Sequence, residues 1–367
     1  MKKIAIIGGG IVGTTAAFYL SKAEDFEITL YDEQTGQATS AAAGIIAPWL
    51  SKRRNKQWYK LAHEGASLYR QLAQDAKLDS NAYSKVGVFV NRNDETALNN
   101  LFSLAQERIQ TAPEMEIVEK WNQQTISSKM PYLSEWAKPG IFVGGGSRVD
   151  GKHLITQLEA ASNLTVKNEK ANISVVNHEV MVNEEHYDSI FIAAGAFAKE
   201  LIQPFGFELQ LSPQKGQLIE IEDDSINVDD SMPIVMAEGL SELIPVGNHQ
   251  LLIAATHEND AGFDLNPTQP EIDGLVNNAE ITMPNLEGKI STMITNIRIG
   301  TRAYTDDFSP FMGTIPGFDN VWIANGLGSS GLTTGPITGK LVADDIMSAS
   351  GFDGYTKPIT NYLSGIE

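Results

Sequence analysis

Not one of the 367 residues is a cysteine. Disulfides, thiolate metal sites, redox-active dithiols and any prosthetic group attached through sulfur are therefore excluded. Positive charge is also scarce: 27 Lys and Arg stand against 46 Asp and Glu, leaving a net charge of −19. Such a field repels phosphate backbones and anionic lipid, so neither nucleic acid nor a membrane surface is an expected partner. No apolar run approaches the roughly 20 residues that a membrane span needs. The six histidines show no paired ligand spacing and no H-E-x-x-H, so no metal site is expected. No G-x-S-x-G elbow is present, and Gly339-Lys340 lacks the spacing of a phosphate-binding P-loop.

The start of the chain carries Lys2 and Lys3 ahead of an apolar stretch, superficially like a secretory signal. Gly8-Gly9-Gly10 interrupts that stretch and no small-residue cleavage site follows, so it reads as a buried strand turning into a helix. The sequons at Asn163 and Asn172 are then chance matches, and a cytoplasmic location is expected.

What is present is the pattern of a mixed α/β protein long enough for two domains. Lys-Ile-Ala-Ile-Ile at 3–7 has the look of a parallel strand buried on both faces. Residues 11–22 fit a helix and Glu27 to Asp32 a second strand, which completes a βαβ unit. A small-residue loop at 36–48 follows. Helices are predicted from Trp58 to Lys77, over 95–110, from His153 to Ala161, after the turn at Pro267, and from Thr333 to Met347. Short strands are predicted at 164–167, 173–176, 179–183, 189–193, 217–221, 251–255 and 320–324. This order predicts an interleaved architecture. Residues 1–50, 141–204 and 296–367 would form a Rossmann-type nucleotide-binding domain. Residues 51–140 and 205–295 would form a smaller α+β substrate domain on an antiparallel sheet.

The sharpest motif is Gly8-Gly9-Gly10-Ile11-Val12-Gly13, a G-x-G-x-x-G placed between strand and helix. Gly8 suits the tight turn, Gly10 admits a pyrophosphate against the backbone, and Gly13 allows close helix–strand packing. The helix then offers unpaired N–H groups to the phosphates. About 20 residues on, Asp32 closes the second strand as a ribose-hydroxyl acceptor should, with Glu33 as its neighbouring alternative. The motif alone does not distinguish NAD from FAD.

Residues 38–48, Ala-Thr-Ser-Ala-Ala-Ala-Gly-Ile-Ile-Ala-Pro, decide between them by resemblance. The segment resembles the D-amino-acid oxidase family of flavoenzymes, especially its glycine oxidase and sarcosine-oxidase-like members. The resemblance continues in Val149-Asp150-Gly151, where Gly replaces a usual Pro, and in Ala193-Ala194-Gly195-Ala196-Phe197. It extends through Pro213-Gln214-Lys215-Gly216-Gln217, which resembles a family turn, and through Arg302 to Gly317, where Ala303 replaces a usual Pro. It implies FAD, and without cysteine the flavin is expected to be held non-covalently. Thr39 and Ser40 take the places that meet the pyrophosphate, and Ala43, Gly44 and Ile46 those that pass the isoalloxazine. Gly195 and a strand near Asn172 fall beside the cofactor. Gly326 to Leu332 formally repeats G-x-G-x-x-G, with no acid closing a later strand. In the family this turn aims a helix at the flavin, which places Gly328, Ser329, Ser330, Gly331 and Leu332 on it.

The same resemblance implies oxidation of a C–H next to an amine, by hydride transfer to flavin N5, with the electrons leaving to oxygen or another acceptor. Arg302, a fork for a carboxylate, is the first substrate candidate, and it is also counted beside the cofactor. The bland alternative pairs it with Asp306 or Asp307. His257 and Glu242 fall on pocket-lining strands of the family, Glu242 in place of an aromatic. Trp49 follows the flavin-facing loop and reads as pocket wall or core. Ser329 stands where glycine oxidase has a second pocket arginine. Lys52, Arg53 and Arg54 read as a solvated basic loop that can draw anionic substrates. Two other functions stay open: a related flavoenzyme for a hydroxy acid or polyol, and a flavin domain acting on tRNA or in a complex, which the charge of −19 opposes.

Overall fold

A computed structural model describes residues 1–51, 53 and 55–365. Its centre is a six-stranded sheet whose first strand, Lys2–Ile7, pairs in parallel with Phe26–Tyr31 on one side and Ser189–Ile192 on the other. Thr165–Lys167 extends the sheet beyond Phe26–Tyr31, and Phe318–Asn325 beyond Ser189–Ile192. Phe311–Ile315 closes the edge as the one antiparallel neighbour. Strands that lie inside a parallel sheet are covered on both faces, which is why Ile4, Ala5 and Ile6 are all fully buried.

One face is covered by the first helix, Ile11–Leu20, and by the last, Gly331–Ser348. They approach through small residues. A Cβ on Gly339 would stand 2.4 Å from the Val12 carbonyl oxygen. The long helix Lys56–Ala76 crosses the last helix in the same manner, its Gly65 lying against the Thr333 carbonyl.

The second large sheet has eight strands in the order Ile294–Tyr304, Ser212–Glu222, Gln250–Ala254, Glu242–Gly247, Ile234–Met236, Val88–Asn91, Gly140–Val143 and Val118–Trp121. It is antiparallel except where Ile234–Met236 meets Val88–Asn91. Gly140–Val143 and Ile294–Tyr304 belong to this sheet, so sheet membership crosses the boundaries expected at 141 and 296.

Most expected elements are present within two residues of their predicted ends. Pro213–Gln217 is different. It is not a turn but the opening of an eleven-residue strand, paired residue by residue with Ser212 opposite Tyr304 and Gly216 opposite Gly300. Gly216 is needed for close approach rather than for a turn. Gly151 has a similar cause: a Cβ there would stand 2.0 Å from the Thr39 carbonyl, so a proline would not fit either.

Candidate active site

The glycine turn is built by collision avoidance. Gly8 has φ +108°, and a Cβ on it would meet the Ala193 carbonyl oxygen at 2.4 Å. A Cβ on Gly13 would lie 2.0 Å from the Gly8 carbonyl, so that glycine lets the helix pack onto the strand. The first helix has no side-chain cap of its own. Thr39 reaches in from the following loop instead, and its Oγ1 accepts from the Ile11 N–H at 3.0 Å. Asp32 accepts from the Gly9 N–H at 2.7 Å and the Gln34 N–H at 2.6 Å, and also from Gln37 Nε2.

These residues border a groove of about 700 Å³ that runs along the carboxyl ends of the parallel strands, where open α/β sheets bind ligands. Gly8, Gly10, Ile11, Val12, Asp32, Glu33, Thr39, Gly195, Gly328 and Gly331 all line it. A second cavity of about 380 Å³ shares Ala38, Thr39, Gly328 and Gly331 with the groove, so the two are continuous. Ala43, Gly44, Glu242, His257, Arg302, Ser329, Ser330 and Leu332 line this smaller space. The last helix begins between them at Gly331, again without a side-chain cap.

Several expected contacts are moved. Gly13 lines neither space and serves packing alone. Ile46 is buried in the core, and its neighbour Ile45 faces the small cavity. Ser40 donates to Gln37 Oε1 at 2.6 Å and lines neither space. Asn172 is turned to Asn183, while Ala171 and Lys170 reach the groove. Trp49 is 2% exposed and donates from Nε1 to Glu114 at 3.0 Å; it is core, not wall. Arg302 borders the small cavity rather than the groove. Strand alternation explains this, since Thr301 and Ala303 on either side of it face the groove. Lys52 and Arg54 lie outside the described residues.

Arg302 lies close over Gly216. Its NH1 donates to Gln214 Oε1 at 3.0 Å and to the Thr256 carbonyl at 2.9 Å. Asp306 and Asp307 are not its partners. Among the described residues the arginine ion pairs are those of Arg92 and Arg298, so no carboxylate neutralises Arg302 at contact distance. Burial pushes its pKa down, opposed by Tyr304, Glu242 and Glu258. Burial pushes the Glu242 carboxyl above its ordinary range, opposed by its own backbone N–H and by Arg302. His257 is pulled below the usual histidine range by burial and then by Arg302, which leaves it neutral at neutral pH.

Sequence reasoning missed Phe263, Met236 and Trp58. Phe263 lines the groove from a loop with no hydrophobic period, and it pairs with Phe197 at a ring separation of 5.0 Å. Trp58 was legible only as one position of an amphipathic helix, yet it lines the small cavity and donates to Ser330 Oγ at 3.0 Å.

Comparison with known proteins places this architecture. Residues 3–345 match the family described as FAD dependent oxidoreductase. The chain belongs to that family. An uncharacterized oxidoreductase, YurR, of Bacillus subtilis strain 168 is 33% identical over 357 residues, covering 94% of each chain. Glycine oxidase of Pseudomonas putida is 25% identical over 367 residues, covering 95% of each. The crystal structure of iminodiacetate oxidase (IdaA) from Chelativorans sp. BNC1 aligns with a TM-score of 0.87 at 26% identity, over 98% of both chains. This family member is thus an FAD-dependent oxidoreductase, and its groove suits that cofactor on its own geometry. Two helix N-termini without a side-chain cap of their own open on it, Asp32 lines it, and Gly10 brings bare backbone to it. No helix among the described residues is long and apolar enough to cross a membrane.

Proposed function

We propose that the chain oxidises the C–H bond next to the amine of a small amino-acid-like substrate held in the smaller cavity. The observation that carries this reading is Arg302, a buried guanidinium on the cavity wall with no carboxylate among the described residues in ion-pair contact with it. A substrate carboxylate completes it. Charge-assisted, forked hydrogen bonds of this kind are among the stronger polar contacts a protein makes. Glycine oxidase and iminodiacetate oxidase, both similar to this chain, act on small amines that carry carboxylates, as their names state.

When bound, FAD supplies the two-electron acceptor. Gly10, Ile11 and Val12 would hold its diphosphate at the first helix, Asp32 the adenosine ribose, and Ala43, Gly44 and the start of the last helix the flavin end. The protein's own work on the substrate is positioning. Arg302 fixes the carboxylate. Glu242, on the same wall, faces the ammonium group and takes its proton, freeing the nitrogen lone pair. The C–H bond then breaks with its electron pair leaving as hydride, and a C=N bond forms from that lone pair. Water adds to this imine and releases a carbonyl compound and an amine. Oxygen or another acceptor takes the two electrons away.

Glu242 also favours an amine over a hydroxy acid, because an anion on the cavity wall matches an ammonium and gives a hydroxyl group no counter-charge. Anaerobic mixing tests the reading. Flavin absorbance should bleach with members of a panel of amino acids and N-methyl amino acids, and not with the matching 2-hydroxy acids. Bleaching by hydroxy acids alone would overturn it.

A further inference from the structure

The small cavity contains a second fixed cation. Arg53, an exposed residue of the loop ahead of the helix Lys56–Ala76, borders the same space as Arg302. It is held in place. Its guanidinium carbon lies 4.6 Å from the centre of the Trp58 ring, a cation–π distance. Trp58 in turn is tied by Nε1 to Ser330, the cap residue of the last helix. Asn55 secures the loop by accepting from the Trp58 N–H at 3.0 Å and donating to Ser309 Oγ at 2.7 Å. Arg53, like Arg302, has no contact ion pair among the described residues. In a chain with net charge −19, two unpaired arginines on one cavity of about 380 Å³ are a distinct electrostatic feature.

The third charged side chain of the cavity is Glu242, and His257 is neutral. The lining therefore presents two cations and one anion. We infer that the substrate is its mirror image: an amine carrying two carboxylates, one on Arg302 and the other on Arg53, with the ammonium toward Glu242. Arg53 is exposed, so it would meet a second carboxylate as a solvated charge that adds attraction and selectivity, whereas a single-carboxylate substrate would leave it facing water. This rests on the reading of Arg302 as a carboxylate clamp and adds a separate subsite to it. The reaction is unchanged, since the second carboxylate is bound and not transformed.

Equilibrium binding tests the subsite without turnover. The purified holoenzyme is titrated with acetate and with malonate, following the absorbance of bound flavin and the shift in Tm. Malonate should bind about two- to fivefold tighter than acetate, the range of an exposed charge pair. Arg53→Leu should collapse that ratio toward one, and Arg53→Lys should keep part of it, which also covers the case of a poorly folding Leu variant. Turnover is compared with sarcosine and iminodiacetate, which differ by one carboxylate, and the ratio of their kcat/KM values should follow the same pattern. Equal binding of acetate and malonate, or a ratio unmoved by either Arg53 variant, overturns the second subsite and leaves the Arg302 clamp standing. If neither anion perturbs the flavin or Tm, and Arg302→Leu changes nothing, the clamp falls as well.

Discussion

The guanidinium of Arg302 occupies the space that a side chain at Gly216 would need: a Cβ on Gly216 would lie 2.6 Å from Arg302 Cζ. The two residues sit on neighbouring antiparallel strands, where Gly216 faces Gly300 and Gln214 faces Arg302. Removing one methyl's worth of volume from strand Ser212–Glu222 thus sets the position of the proposed carboxylate clamp. Gly216→Ala should move the guanidinium, the flexible end of a long side chain, and leave the strand pairing intact. The expected result is a KM for a carboxylate substrate raised about tenfold with kcat less affected, since about 1.4 kcal/mol of ground-state and transition-state binding is lost alike. Arg302→Leu should cost more, about 2–3 kcal/mol for a charged hydrogen-bond partner. Steady-state kinetics with flavin content as control checks both. A KM unchanged in Arg302→Leu would remove the clamp.

The cofactor half of the molecule was legible from the sequence because it is local. Gly8, Gly10, Gly13 and Asp32 fall within one βαβ unit, so their spacing is visible locally, although the atom that Gly8 avoids, the Ala193 carbonyl oxygen, comes from a distant strand. The proposed substrate side was legible in Arg302, Glu242 and His257 through the family resemblance, but Trp58 and Met236 reach the same cavity from elements that only tertiary folding brings together. The errors have the same cause. The resemblance places Ile46 beside the flavin and leaves Trp49 as wall or core, and strand and loop geometry buries both in the core. Gly216 is expected in a turn only through the resemblance of Pro213–Gln217 to a family turn, and it lies in a strand. Its real neighbour lies 86 positions away.

Gly13 and Gly10 should fail in different ways. Gly13→Ala sets a Cβ 2.0 Å from the Gly8 carbonyl, between strand and helix, where neither can yield cheaply. Both Tm and flavin content should fall. At Gly10 the nearest atom to an added Cβ is Thr39 Oγ1 at 3.2 Å, and the remaining space is the groove itself. Gly10→Val should therefore fold and lose FAD affinity. Thermal unfolding of the apoprotein, alongside FAD titration, separates the two. Equal Tm losses in the apo state would contradict this assignment.

Glu242 gives a pH signature in two observables. Burial raises its pKa, so the folded protein holds this proton more tightly than the unfolded chain does. The stability gained is fully present below the ordinary carboxylate range and is lost as pH rises through the raised folded-state value. Glu242→Gln carries no such charge, so it should be more stable than the parent at neutral pH, with the difference shrinking in acid. Catalysis should move the opposite way. The ionised form is the one that faces the ammonium group, so kcat/KM of the parent should climb through the same pH window, and Glu242→Gln should be slower with that limb flattened. Tm and kcat/KM measured across pH 4–8 on both proteins check the pair, and an identical pH profile for the variant would dismiss Glu242 from the site.

Lys215 pins the loop that borders the groove. It is fully buried, yet its Nζ donates to Asp264 at 2.9 Å, Thr268 Oγ1 at 2.8 Å and the Asn266 carbonyl at 2.5 Å. That grip holds the loop after His257 down over the groove, where Phe263 meets Phe197 and Leu265 packs across Gly36. A buried ammonium with three acceptors is satisfied; the same site without it leaves those acceptors facing a void. Lys215→Met should therefore lower Tm and release the loop, and FAD should dissociate faster. Phe263→Ala isolates the second effect. Phe263 is 48% exposed, so truncation should cost about 1 kcal/mol of cofactor contact, a roughly fivefold rise in the FAD dissociation constant, with Tm of the apoprotein little changed. Stopped-flow release of FAD, read by its fluorescence, measures both variants. Unaltered release in Lys215→Met would show that the loop is not what retains the cofactor.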